Sequence, residues 1–169
     1  MTDSFQNRAV TIFPDIAEIE FKSINSKYLN VILIQVLLFF LLVFAGVFLA
    51  EHYNLFMLLE NPFWIFLGIS IIFVGILALR VVGFKKRNYA VREKDVSYKK
   101  GVFFKSLTTV PFNRIQHIEI DEGPISRLFN LVSLSVFTAG DSSDDLKISG
   151  LLKEEAKQIK EFISTKIDG

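Results

Sequence analysis

Two long apolar runs dominate the first half of the chain. Leu29 to Ala50 supplies 22 residues and Phe63 to Val82 supplies 20, each with few polar side chains. A bilayer core about 30 Å thick needs roughly 20 apolar residues at about 1.5 Å per helical residue. Both runs are therefore predicted to span a membrane. The short connection from Glu51 to Pro62 makes them an antiparallel helical hairpin.

After Arg87 the apolar residues occur in short alternating runs, a pattern typical of half-buried strands. Gly101 is expected to mark a hairpin turn between two of these strands. In the fifth run, Val132, Leu134 and Val136 are expected to share one face, and Ser133, Ser135 and Phe137 are expected to share the other. The predicted strands are Asn88–Arg92, Val96–Lys100, Val102–Val110, one around Ile118 and Ile120, Leu131–Thr138 and Asp145–Ile148.

Two helical pieces interrupt or follow these strands. Gly123-Pro124 opens a single helical turn over Ile125 to Phe129, and Asn130 stops it because Asn tolerates a left-handed backbone. Leu151 to Ile167 has helical spacing, and its apolar stripe is expected to lie on the sheet. That stripe consists of Leu152, Ala156, Ile159, Ile163 and Ile167.

Composition excludes several classes of site. The chain has no Cys, hence no disulfide, no thiolate metal site and no Cys nucleophile. His52 and His117 lack the clustered acidic or histidine neighbours that a metal site requires. No Gly-rich phosphate-binding loop connects a strand to a helix, so nucleotide binding has no support. We expect no cofactor and no enzymatic activity.

Charge distribution predicts the orientation in the membrane. The net charge is only +1, yet residues 80–105 carry nine Lys or Arg against two Asp or Glu. The inter-span loop has no Lys or Arg, whereas Lys85, Lys86 and Arg87 follow the second span. The positive-inside rule therefore places both termini in the cytoplasm. Because the basic cluster borders the bilayer, nucleic acid is not an expected partner.

Other features of the spans carry weaker predictions. Arg80 lies close enough to the end of the second span to snorkel to the interface, and Gln35 is the only polar side chain well inside the first span. The small residues Gly46, Ala50, Gly68 and Gly75 are expected to pack within the hairpin. Aromatic residues near the four predicted interfaces suggest a membrane belt, namely Tyr28, Tyr53, Trp64 and Tyr89.

The segment from Pro111 to Gly140 resembles the bacterial pleckstrin-homology (PH)-like domain of YdbS-type membrane proteins. The resemblance rests on Arg114-Ile115-Gln116, Gly123-Pro124, Arg127-Leu128-Phe129, Leu131 and Thr138-Ala139-Gly140, and extends to Ile148-Ser149-Gly150-Leu151 and Ala156. Asn130 departs from it, since the family usually has Gly there.

The resemblance implies a two-helix transmembrane hairpin followed by a small α+β module, an antiparallel PH-like β-barrel or sandwich closed by a C-terminal α-helix. The expected domains are a cytoplasmic segment 1–28, the hairpin 29–84 and a cytoplasmic PH-like domain 85–169. The expected location is the bacterial cytoplasmic (inner) membrane, as a multi-pass protein. Phe13 to Phe21 is either a short strand or an interfacial segment.

The candidate lipid-headgroup residues are Lys85, Lys86, Arg87, Lys99 and Lys100. Each basic side chain near an anionic leaflet gains about 1 kcal/mol. The alternative is a topology signal together with solvated strand faces. The motif residues are interpreted as structural: Pro111, Arg114, Gln116, Gly123, Pro124, Arg127, Thr138 and Gly140. Arg114 and Gln116 have a second reading as ligands of a headgroup or carboxylate, and Arg127 is expected to snorkel or to pair with Glu122.

Three functions are compatible with these features. The favoured one is a membrane-anchored scaffold or complex subunit that binds a protein partner or a second copy, with the acidic loop Asp141–Asp145 as a candidate surface. The second is a module that senses anionic membrane lipids through its basic juxtamembrane surface. The third, a membrane enzyme, has only Arg80, Gln35 and Glu60 as candidate residues.

Overall fold

The computed structural model describes residues 20–53, 63–139 and 146–167. Two long helices come first, α1 (Tyr28–His52) and α2 (Phe63–Phe84). Both are long and apolar enough to span a membrane. The predicted hairpin helices are confirmed, with each helix extending slightly beyond its predicted span.

Aromatic rings form contacts between the two helices. The Phe40 and Phe73 ring centres are 4.8 Å apart, and those of Phe44 and Phe66 are 6.1 Å apart. A Cβ atom added at Gly46, Gly68 or Gly75 would meet nothing within 4 Å. The prediction that these glycines pack within the hairpin is therefore wrong, because bulky rings rather than small residues form the contact.

Two antiparallel sheets form the module. One has the strand order β1-β2-β3-β4 and the other β5-β6-β7. Within the described ranges no strand pairing joins the two sheets, so the module is a sandwich and not a closed barrel. The strands are β1 (Lys22–Ser23), β2 (Asn88–Val91), β3 (Asp95–Lys100), β4 (Ser106–Pro111), β5 (Ile115–Asp121), β6 (Leu131–Thr138) and β7 (Leu146–Leu152).

Two short helical elements connect these strands and one longer helix closes the module. They are a 3-10 turn (Phe112–Arg114), α3 (Pro124–Leu128) and α4 (Lys153–Ile167). Asn130 has φ 55°, which confirms the left-handed stop after α3. α4 begins later than predicted because Leu152 still belongs to β7.

The core lies between the sheets and under α4. Val132, Leu134 and Val136 of β6 are buried as predicted, but Ser135, predicted for the opposite face, is buried too. Its hydroxyl donates to an Asp121 carboxylate oxygen at 3.1 Å, which satisfies the buried group. Of the predicted stripe on α4, Ala156 and Ile163 are fully buried and Ile159 packs against the core, whereas Leu152 and Ile167 remain partly exposed.

Residues before the hairpin also belong to the module. Lys22 and Ser23 of β1 pair with Tyr89 and Asn88, and Ile24 enters the core. Tyr89 is buried and is therefore a core residue, so its predicted place in an interfacial belt is wrong. Most of the Phe13–Phe21 segment lies outside the described residues.

An ion-pair cluster ties this N-terminal strand to α4. Lys22 forms a salt bridge with Glu155, and the Tyr89 hydroxyl donates to the same carboxylate at 2.5 Å. Burial alone raises the pKa of Glu155, but the hydrogen bonds from Lys22 and Tyr89 outweigh it and hold that pKa below its ordinary value. Burial, followed by the contact with Glu155, raises the pKa of Tyr89.

The first turn of α1 rests directly on β7. The Asn25 backbone N–H donates to the Gly150 carbonyl at 3.0 Å. Gly150 has φ +87°, and a Cβ placed there would lie 2.6 Å from the Tyr28 Cγ atom. Only glycine allows both this backbone angle and this close approach. The contact fixes the start of the membrane hairpin on the module.

Candidate membrane-facing site

The loop between β3 and β4 lies beside the end of α2. This loop, residues 101–105, is called the tip below. The Val102 Cγ2 atom is 3.4 Å from the position that a Cβ on Gly83 would occupy. Because Gly83 belongs to the last turn of α2, the tip lies beside the end of a helix that is long and apolar enough to cross a membrane.

The tip is a tight loop, although Val102–Val110 was predicted to be one strand. Gly101 has φ +114°, and a Cβ there would lie 1.8 Å from the Phe104 carbonyl oxygen. This compact turn keeps residues 102–105 out of the sheet, and β4 starts only at Ser106. The strand prediction for Val102–Lys105 is therefore wrong.

Two phenylalanines project from the tip. Phe103 is 78% exposed and Phe104 is 92% exposed. Leu128 on α3, a helix that packs against α1, is 79% exposed. Large apolar side chains this exposed at a membrane boundary are typical of groups that insert among lipids.

Exposed lysines lie on both sides of the tip along the chain and in the turn after α2. Lys99 and Lys100 are exposed at the end of β3, and Lys105 is exposed at the far side of the tip. Lys85 and Lys86 are exposed in the turn that follows α2. The structure thus brings together four of the five candidate headgroup residues and adds Lys105.

Arg87, the fifth candidate, is partly buried and lies over an aromatic ring. Its guanidinium carbon is 5.7 Å from the centre of the Tyr28 ring, a cation–π distance. Burial raises the pKa of Tyr98, and the nearby Arg87 cation opposes that rise. Arg87 therefore links α1 to β3 at the junction.

Other basic residues of the 80–105 segment lie at the opposite end of the sheet. Lys94 precedes β3, and the six residues of that strand separate it from the tip by about 20 Å. Arg92 forms a bidentate ion pair with Asp95, with nitrogen–oxygen distances of 2.7 and 2.6 Å. The basic run thus divides into a membrane-side group and a distal group.

The motif residues of the middle segment sit at turns and strand ends. Pro111 ends β4, and Gly123-Pro124 opens α3 with Pro124 in its first turn. Thr138 ends β6 opposite Ile115. Arg127 pairs with Glu122 at 3.8 Å, as predicted.

The remaining motif residues are less constrained. Arg114 and Gln116 are exposed, and neither has a side-chain partner among the described residues. Gly140 and the acidic loop Asp141–Asp145 lie outside the described residues. Whether Arg114 or Gln116 binds a ligand stays a prediction.

No constellation for metal binding occurs in the part of the chain that the structure describes, where no group of three or more His, Cys, Asp or Glu is suitably placed. His117 is exposed and stacks on Phe137 with ring centres 4.3 Å apart. This arrangement gives the histidine a packing role on the sheet surface.

The family model of the bacterial PH domain matches residues 28–167, which include both the hairpin and the double sheet. The chain belongs to the bacterial PH domain family. This bacterial PH protein is 29% identical over 91 residues to the UPF0699 transmembrane protein YdbS of Bacillus subtilis, covering 54% of the chain and 55% of YdbS. It is 24% identical over 101 residues to the UPF0699 transmembrane protein YdbT of the same organism, covering 59% of the chain and 20% of YdbT. The chain therefore matches about half of one relative and a fifth of the other.

No solved structure gives a significant match to this bacterial PH protein. Its two candidate spans and its transmembrane relatives identify it as a membrane protein.

The alternation pattern missed Phe103 and Phe104, because it counted them as strand residues. A different signal was present: two adjacent aromatic residues between Gly101 and Lys105, next to Lys99-Lys100. A turn glycine followed by aromatic residues within a lysine cluster indicates a membrane-contacting loop more than a sheet strand.

Proposed function

We propose that this chain is a non-enzymatic bacterial PH module that docks on the cytoplasmic leaflet of the inner membrane and binds its anionic lipids through the tip. The observation that carries the proposal is the pair of exposed phenylalanines, flanked by lysines, beside the last turn of α2. The positive-inside pattern supports the cytoplasmic orientation.

Two separable energies contribute to this docking. Burying a Phe side chain in an apolar medium stabilises by about 1.5–3 kcal/mol, and this term does not depend on lipid charge. Each lysine near an anionic surface adds about 1 kcal/mol, a term that salt screens. The phenylalanines should therefore insert into any bilayer, while the lysines make docking stronger on anionic lipid.

The depth of the tip in a bilayer tests the proposal. The chain has no Cys, so one introduced thiol is unique. Ser106→Cys places a spin label at the start of β4, next to the tip, and Asn113→Cys places one in the 3-10 turn at the distal end. The full chain is reconstituted in nanodiscs of phosphatidylcholine, with or without phosphatidylglycerol.

We expect the label at position 106 to be accessible to lipid-soluble oxygen and protected from an aqueous nickel quencher. The label at 113 should show the opposite behaviour in both nanodiscs. If the two labels are equally accessible to the aqueous quencher, docking through the tip is refuted.

Charge dependence is tested with matched lysine variants. Lys99→Gln should reduce the extra protection that phosphatidylglycerol gives at position 106, whereas Lys94→Gln, which removes the same charge at the distal end, should leave it unchanged. An equal loss in the two variants would show a general effect of net charge instead of contact at the tip.

A second candidate function, a scaffold for a protein partner, is favoured by the edge strand β4. Among the described residues β4 pairs only with β3, and the strand SLTTVP carries no charged side chain. Edge strands without charges are open to pairing with another chain.

A photocrosslinker at Leu107 should capture a protein or a second copy in native membranes, and the same crosslinker at Gln116 on β5 should not. Equal capture at both positions, or none at Leu107, would refute pairing at this edge.

A further inference from the structure

A cavity of about 310 Å³ lies between α1 and α2 at the end next to the double sheet. Its polar lining consists of Tyr28 and Gln35 of α1, Arg80 of α2 and Arg87, which follows α2. Apolar side chains of both helices, among them Phe39 and Ile76, form the rest of the wall. Arg80 and Gln35, two isolated polar residues in the sequence of the spans, thus line one cavity.

The cavity carries two positive charges without an acidic counterion. No Asp or Glu of the described residues forms an ion pair with Arg80 or Arg87. Arg80 lies four residues before the end of α2, about 6 Å along the helix axis. An unpaired guanidinium at that depth is costly, so charged groups in spans usually pair with an anion or face a polar cavity.

The donors of the cavity suit a phosphate group. A guanidinium presents paired N–H donors that match phosphate oxygens in a bidentate arrangement. The Gln35 amide and the Tyr28 hydroxyl add neutral donors, and neither donates to a side chain among the described residues. The apolar wall matches the first part of an acyl chain. The volume is near the low end of the roughly 300–1,000 Å³ that is typical of ligand pockets, which suits a headgroup and not a whole lipid.

We propose that this cavity is a specific site for the phosphate of an anionic glycerophospholipid of the cytoplasmic leaflet, held between Arg80 and Arg87. The site deepens the proposed function and rests on its orientation in the membrane. It differs from the tip in kind, because the tip contacts the bilayer collectively whereas the cavity holds one lipid.

Native mass spectrometry of the full chain in detergent tests the site directly. The probes are phosphatidylglycerol, phosphatidylcholine and inorganic phosphate, each added separately. We expect one phosphatidylglycerol to remain bound at least tenfold more strongly than phosphatidylcholine. Arg80→Gln should reduce that retention at least tenfold. Lys94→Gln removes the same charge at the distal end of the sheet and should change it less than threefold.

Two further variants keep the test independent of folding. Gln35→Leu removes a neutral donor without changing charge and should weaken retention severalfold, and Arg80→Lys keeps the charge but loses the bidentate geometry. Protection of the β6 amides from hydrogen exchange shows that each variant is folded. Arg80→Lys should retain the lipid in part, because its positive charge remains. Full retention in Arg80→Gln would show that Arg80 is only a snorkelling anchor and would overturn the site.

The other outcomes are also decisive. Equal losses in Arg80→Gln and Lys94→Gln would mean that charge alone attracts the lipid, which overturns the cavity site but leaves docking through the tip intact. Tight retention of inorganic phosphate together with no lipid preference would identify a soluble anion as the ligand and overturn the lipid assignment. Conversely, a water-exposed tip with one phosphatidylglycerol retained would refute docking while confirming the cavity.

Discussion

Gly150→Ala should break the contact that fixes the membrane hairpin on the module. The added Cβ would lie 2.6, 2.8 and 2.9 Å from the Cγ, Cβ and Cδ1 atoms of Tyr28. All three distances are far below van der Waals contact, and the Tyr28 backbone would have to move with its side chain. Alanine would also have to adopt a φ of +87°.

The two costs have separate origins and together are of order 3 kcal/mol. A left-handed backbone costs a residue with a Cβ roughly 1–2 kcal/mol. Overpacking a close contact costs about 1–3 kcal/mol. For a chain of this size, each kcal/mol lowers Tm by about 2–4 °C, so we expect a decrease of about 6–12 °C.

Thermal unfolding of the purified chain in detergent measures the total effect. Amide exchange at Asn25 measures the local one, because its N–H donates to the Gly150 carbonyl. Gly46→Ala is the control, since nothing lies within 4 Å of the added Cβ. It should leave the Tm of the chain the same or slightly higher, because alanine favours helix more than glycine does.

A double-mutant cycle separates the clash from the backbone strain. Tyr28→Gly removes all three contacting atoms, so adding Gly150→Ala in that background should cost only the strain, about 1–2 kcal/mol. If Gly150→Ala leaves Tm within 2 °C of the parent chain and Asn25 remains protected, the proposed junction between hairpin and module is wrong.

Four further changes test other parts of the structure. Tyr89→Phe should destabilise the chain by about 1.5–3 kcal/mol in chemical denaturation, because the Glu155 carboxylate loses a charge-assisted hydrogen bond. The pKa of Glu155 in the folded chain lies below its ordinary 4.5, so the stability that this cluster contributes is complete above pH 4.5 and is lost as the pH falls through the folded pKa. Glu155→Gln should remove this acid dependence of stability. An unchanged dependence of stability on pH would show that Glu155 is not its source. Asn130→Gly should raise the midpoint of thermal unfolding slightly by relieving the positive φ, whereas a decrease would show that the Asn side chain has another role. Gly83→Leu should push the tip away from α2 and make the label at Ser106→Cys more accessible to water, while Gly83→Ala, which just fits, should not.

The sequence determined the broad architecture, because the features responsible are local or periodic. Apolar runs long enough to cross a bilayer defined α1 and α2, and period-two alternation located the strands of the double sheet. The left-handed turn at Asn130 was predictable from the residue type, because the backbone preference of a residue affects only its immediate neighbours in sequence. The resemblance in the middle segment likewise identified the family that the match over residues 28–167 confirmed.

The tertiary structure decided which residues meet. Alternation placed Phe103 and Phe104 in a strand, and only the closure of the turn at Gly101 puts them in an exposed tip next to α2. Arg80 and Gln35 lie on different helices, far apart in the sequence, and they share a cavity only because the hairpin pairs those helices. Such contacts depend on how distant segments pack. The periodicity of apolar residues shows which face of an element is buried but not which other segment packs against it.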